Sequence, residues 1–250
     1  MEGPIVPAPP DAPTSSERRP TLGGERDRIA AYYAARAASD VGARYSPFNP
    51  GHLFRVQRTE RAILAALARH GLADLALREI LDVGCGDGTL LRRAIEWGAD
   101  RTKLHGVELL PERVAAARRA DPALDVRRAD ASALPFADAS VDLAFQMTVF
   151  SSILDDGMQR AVAHEMARVL RSGGAVVSYD LRVARDRRHT RAVRADDLRR
   201  LFPGFGVDAR PITLIPPLAR MLARWSWMAC EILEEIPALR SHELVVLRKP

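Results

Sequence analysis

The chain has 250 residues, 47% hydrophobic and 28% charged, with a formal net charge of +5. This is the ordinary composition of a protein with one sizeable core. No apolar run approaches the roughly 18 residues of a membrane-crossing helix, which excludes a helical membrane protein; Pro216 and Pro217 break one of the longest uncharged stretches, Pro211 to Ala219. Pro4, Pro7, Pro9, Pro10 and Pro13 stand where a signal peptide needs an unbroken apolar segment. Cys85 and Cys230 are too few for a disulfide framework or a four-cysteine zinc site, so a reducing, cytoplasmic home and no metal are expected. Lys103 and Lys249 are the only lysines beside 35 arginines, which reads as genome composition bias. The one arginine-dense stretch, Arg182 to Arg200, lacks interleaved aromatic residues, so neither nucleic acid nor membrane is expected as a partner.

In chain order, residues 1–24 are rich in proline, serine and charge and read as a disordered leader, followed by a helical cap over 25–72 and a ligand-binding domain over 73–250. A helix is predicted from Glu25 to about Ala38, an irregular stretch over Tyr45 to Gly51, and a helix from Leu53 to about His70. From Glu79 onward short β-rich runs alternate with helical segments, the pattern of a doubly wound parallel α/β sheet. The predicted strands are Ile80 to Val83, Leu104 to Leu109, Leu124 to Ala129, Val141 to Gln146, Ala175 to Leu181, Val207 to Leu214 and Glu243 to Arg248. Helices are predicted from Thr89 to Trp97, from Pro111, from Asp155, from Asp196 to Phe202 and from Pro217 to Glu235. The last two strands read as a hairpin interrupted by that final helix.

The strongest local signal is Leu81-Asp-Val-Gly-Cys-Gly-Asp-Gly88, directly after a strand and opening a helix. Its glycines let the backbone turn sharply and approach a ligand, and a helix N-terminus offers free amides. The spacing fits neither the dinucleotide fingerprint, whose third glycine would fall at Thr89, nor a phosphate loop. Glu108 stands at the end of the second strand, where an acid can accept hydrogen bonds from ribose hydroxyls, although it can equally start the helix at Pro111. Asp130, after the third strand, suits an adenine amino group or a loop cap. With Asp82, these acids converge on the carboxyl edge of the sheet, where such folds bind ligands.

Ile80 to Gly88, Val107-Glu-Leu109, Ala129 to Phe136, Ser140 to Ala144 and Val169 to Gly174 together resemble the successive motifs of class I S-adenosylmethionine-dependent methyltransferases, of the type 11-like kind. The resemblance covers about Arg78 to Leu181. It implies a Rossmann-like seven-stranded sheet with an antiparallel last strand and S-adenosylmethionine as cofactor. It implies a cofactor-binding set of Asp82, Gly84, Cys85, Gly86, Glu108, Leu109, Asp130, Ala131 and Gln146. In that set Gly84 and Gly86 underlie the methionine part, Glu108 holds the ribose, Asp130 the adenine, and the Gln146 backbone meets the cofactor's amino group.

Methyl transfer needs the partners close and in line, with a general base where the nucleophile must lose a proton. Asp180, His189 and Tyr45 are the candidate catalytic residues, and Tyr32, Tyr33, Tyr45 and Phe48 are read as the cap over the acceptor. The region after the fourth strand, Gln146 to Ile153, lacks the Asn-Pro-Pro-Tyr pattern associated with methylation of nucleic-acid bases. A small-molecule acceptor, a natural product or glycan, methylated at oxygen is therefore expected, with nitrogen or carbon as alternatives. A non-catalytic cofactor-binding scaffold or partner subunit remains a second reading, and a transferase using decarboxylated cofactor a third. The chain is expected to be a monomer or homodimer.

Overall fold

In the computed structural model, which describes residues 22–38, 45–184 and 186–250, the strands are β1 (Ile80–Val83), β2 (Leu104–Glu108), β3 (Asp125–Arg128), β4 (Val141–Met147), β5 (Leu170–Leu181), β6 (Gly206–Leu214) and β7 (Arg240–Arg248). They form one seven-stranded sheet in the order β3-β2-β1-β4-β5-β7-β6. The first five are parallel, and β7 runs antiparallel to both β5 and β6. This is the expected Rossmann-like α/β sheet.

All of β1 is buried, as befits a central strand covered on both faces. Alternate residues serve opposite layers. Ile80, Leu143 and Phe145 pack with Ile63, Leu67, Leu91 and Val114; Leu81, Val83 and Ala144 pack with Val162, Met166 and Leu198. The first layer holds α2 (Pro50–Arg69), α3 (Thr89–Glu96) and α4 (Pro111–Ala120), the second α1 (Leu22–Ala38), α6 (Asp156–Val169) and α7 (Ala195–Leu201). A single turn, α5 (Val149–Ser152), follows β4.

Several boundaries differ from the sequence reading. Leu22 to Gly24, assigned to the leader, open α1; the rest of that segment lies outside the described residues. The second helix starts at Pro50 rather than Leu53, because the Asn49 side chain accepts from the amides of Gly51 and His52 and Pro50 takes a first-turn position that needs no amide. The helix read from Pro217 to Glu235 is two, α8 (Pro216–Leu222) and α9 (Trp227–Glu234), with the Ser226 hydroxyl capping the second by accepting from the Ala229 amide. The segment read as one cap also divides: α2 contributes Ile63, Ala66 and Leu67 to the sheet's own core, while α1 lies along the ligand edge. Among the described residues no helix is long and apolar enough to cross a membrane.

Helices α2 and α8 cross so closely that a Cβ on Gly51 would lie 2.5 Å from the Arg220 Cα. Backbone on both sides leaves little room to relax, so Gly51→Ala is expected to lower unfolding free energy by about 1–3 kcal/mol in urea denaturation.

Candidate active site

The turn after β1 is shaped by left-handed glycines, Gly84 at φ +72° and Gly86 at φ +58°, a region that side chains rarely adopt. It is fastened to β2. The amides of Gly84 and Cys85 donate to the Val107 carbonyl at 2.8 and 2.9 Å, and the Gly86 amide donates to Glu108 Oε2 at 2.9 Å. Glu108 Oε1 accepts from the Leu110 amide at 3.0 Å. Cys85 is buried against Gly106, where a Cβ would come within 2.8 Å of its sulfur. Burial first, then Asp82 and Glu108, push its thiol pKa well up and keep it protonated, which suits a filler of the loop and not a nucleophile.

Above this turn lies a cavity of about 250 Å³ lined by Gly84, Glu108, Leu109, Asp130 and Ala131, with Ile29, Tyr33 and Arg36 of α1 as its far wall. Asp82, Cys85, Gly86 and Gln146 stand behind that lining. Asp82 is 2% exposed; burial first, then Glu108 and Asp87, hold its carboxyl well above the usual carboxylate range. Among the described residues no donor hydrogen-bonds to that carboxyl. A buried, cation-free carboxyl two residues before Gly84 fits the ammonium end of a methionine-like ligand. Asp130 is already engaged, Oδ1 accepting from the Ser132 amide and hydroxyl at 2.8 Å each and Oδ2 paired with Arg26 of α1. Arg113 stacks on the Tyr33 ring at 4.1 Å and approaches Glu108 at 3.8 Å.

Helix α1 is seated by Glu25, which is fully buried. Burial works against its charge, but Arg28 and the Leu154 amide together hold its pKa below the ordinary value. Tyr33 adds a hydrogen bond between its hydroxyl and that of Ser152 at 3.0 Å. The same helix forms part of a second cavity, about 1030 Å³, to which it presents Arg28, Ala31, Tyr32 and Ala35, with Arg36 reaching both cavities.

His189 and Tyr45 both line this larger cavity. The His189 ring stacks on Tyr32 at 4.7 Å and its Nδ1 meets Asp186 Oδ2 at 2.9 Å; the Tyr45 hydroxyl accepts from Arg36, and its ring lies edge-on to His52. Asp180, the third candidate from the sequence, is corrected by the structure. It is 1% exposed and lines neither cavity. Its Oδ1 accepts from the Ser151 amide at 3.0 Å and its Oδ2 from Gln146 Nε2 at 2.9 Å, while Gln146 Oε1 accepts from the Val149 amide at 2.9 Å. The pair therefore positions α5 and does not touch an acceptor. Phe48, read as part of the cap, is 94% exposed and lines neither cavity.

Sequence reasoning missed the cations of the larger cavity, Arg28, Arg36, Arg55, Arg220 and Arg240, and the buried His242. The arginine-dense stretch that stands out in the sequence, Arg182 to Arg200, is largely answered by acids: Arg188, Arg191, Arg199 and Arg200 pair with Asp186, Asp156, Asp196 and Asp197. The usable signal was helical spacing: His52 and Arg55, three apart, share a face of α2.

Residues 80–174 match the model of a methyltransferase domain family. Over 145 residues the chain is 31% identical to a protein of Mycolicibacterium smegmatis named a "probable S-adenosylmethionine-dependent methyltransferase", covering 52% of each. Over 141 residues it is 29% identical to the malonyl-acyl-carrier-protein O-methyltransferase of Enterobacter lignolyticus, covering 56% of this chain and 52% of that one. The chain thus spans about half the length of these curated relatives. Among solved structures, an S-adenosylmethionine dependent methyltransferase from Mesorhizobium loti shares the fold with a TM-score of 0.54 and 23% identity, over 74% of this chain and 96% of that one.

Burial pushes the Asp180 carboxyl up to about 6, against the pull of hydrogen bonds from Ser151 and Gln146. Between pH about 4 and about 6 the folded chain keeps a proton that the unfolded chain has released, so this group's contribution to stability falls as pH rises through that window. Asp180→Asn is therefore expected to cost more stability at pH 4 than at pH 7, by roughly 2–3 kcal/mol, as measured by denaturant unfolding at the two pH values.

Proposed function

We propose that the chain, whose residues 80–174 match the model of a methyltransferase domain family, transfers a methyl group from S-adenosylmethionine to a small-molecule acceptor, at oxygen. The observation that carries this reading is the pair of cavities on one sheet edge, parted by α1 and bridged by Arg36. The smaller has the glycine turn and strand-end acids that suit the cofactor; the larger has the hydroxyl and imidazole groups that suit an acceptor. Oxygen as the acceptor atom is supported by the relative named as an O-methyltransferase.

When bound, the cofactor supplies a methyl group on a positively charged sulfur. The chain's own part is to hold and orient. Each Glu108 oxygen accepts one amide and retains a lone pair for a ribose hydroxyl. Asp130 Oδ1 already accepts twice, so an adenine amino group meets Oδ2, beside Arg26 or in its place. On the acceptor side, Asp186 orients His189 through Nδ1, leaving Nε2 to take the proton of an acceptor hydroxyl, and Tyr45 positions the acceptor beside it. The two free cysteines are buried and unpaired, in keeping with a reducing, cytoplasmic home.

Calorimetric titration with S-adenosylhomocysteine, the demethylated product, tests the cofactor site. Binding is expected for the wild-type chain and none for NAD. Glu108→Ala and Asp130→Ala should each weaken it by about 1–3 kcal/mol, the cost of leaving polar partners unpaired. Unchanged affinity in both variants would remove the assignment.

A further inference from the structure

The larger cavity holds more positive charge than the acids around it answer. Arg28 is engaged by Glu25 and the Ser152 carbonyl, Arg240 by the carbonyls of Glu234 and Pro211. The cavity's acid, Asp186, is engaged by His189 and Arg188. Arg55 and Arg220 also line the cavity, and among the described residues neither makes a hydrogen bond or ion pair. The Nε of Arg55 is buried without a partner, and so is Nδ1 of its neighbour His52.

These two arginines share one cavity because of the helix crossing at Gly51. That contact lays α8 against the first turn of α2, so Arg55, one turn further along α2, and Arg220 of α8 reach the same cavity. The imidazoles beside Arg55 bring no counter-charge. Burial first, then Arg55, lowers the pKa of His52; the same two causes take His242 down to about 3. The His242 ring is stacked on Tyr179 at 4.5 Å, and its Nδ1 meets the Ser241 hydroxyl at 2.8 Å. A half-buried guanidinium between neutral rings is a costly arrangement until an anion completes it.

We propose that Arg55, assisted by Arg220, anchors an anionic group of the acceptor, a carboxylate or a phosphate, in this cavity. The guanidinium fork matches the paired oxygens of either group. Naming the bound molecule an acceptor rests on the methyltransferase reading; the anion site itself does not.

The test is calorimetric titration of the full chain with malonate and, separately, inorganic phosphate, with and without S-adenosylhomocysteine. At least one anion is expected to bind saturably, the tighter of the two identifying the group. Arg55→Gln should weaken that binding at least tenfold, Arg55→Lys less, and Arg220→Gln, an exposed change that leaves the core intact, severalfold. All three variants should bind S-adenosylhomocysteine within about twofold of wild type, which also shows that they fold. Absence of binding of both anions to the wild-type chain, or equal binding by Arg55→Gln and wild type, overturns the proposal. Arg55-dependent anion binding in a chain that fails to bind S-adenosylhomocysteine supports the anion site and removes the methyltransferase reading instead.

Discussion

A single carboxylate, Glu108, fastens the two segments on which the ligand edge depends. One oxygen accepts the Gly86 amide from the turn after β1 and the other accepts the Leu110 amide at the start of α4. Glu108 is itself 6% exposed; without it the Gly86 and Leu110 amides would lose these partners, and a buried unpaired amide costs as much as a lost hydrogen bond. The glycine turn and the floor of the smaller cavity rest on this bridge together with the Val107 carbonyl, which holds the Gly84 and Cys85 amides. The same carboxylate raises the pKa of Asp82, after burial, so the bridge also sets the electrostatics that favour a cationic group there.

The second constraint is the seat of α1. Glu25, Arg28 and Tyr33 tie the helix to the segment after β4 through the Leu154 amide, the Ser152 carbonyl and the Ser152 hydroxyl. That segment is in turn held by the buried Gln146–Asp180 pair, which binds the Val149 and Ser151 amides. A polar network running from the core of β4 and β5 thus fixes the wall between the two cavities. Its members act on the chemistry only through what they position.

The fold was legible because it depends on local patterns. Short β-rich runs such as Ile80 to Val83 and Val141 to Phe145 can be read as strands from their bounds, and the antiparallel β7 follows from the family resemblance. Local chemistry also explains what was misread. The Asn49 cap and Pro50 made helix where proline and glycine suggested loop, and Ser226 divided an apolar stretch whose periodicity looked continuous.

The glycine turn and the acids at the strand ends could be placed from sequence alone, because a parallel sheet brings the carboxyl ends of its strands to one edge whatever covers them. What lies over that edge was decided only by the tertiary structure. Asp180 ends β5 as a candidate base should, yet its neighbours Gln146 and Ser151 turn it inward. Arg55 looks like any surface arginine on a helix, and it becomes a cavity cation only because Gly51 lets α8 approach α2 within contact. Helical spacing puts His52 and Arg55 on one face of α2 but carries no trace of what that face packs against, so the character of the larger cavity is set by which side chains the tertiary structure leaves without partners.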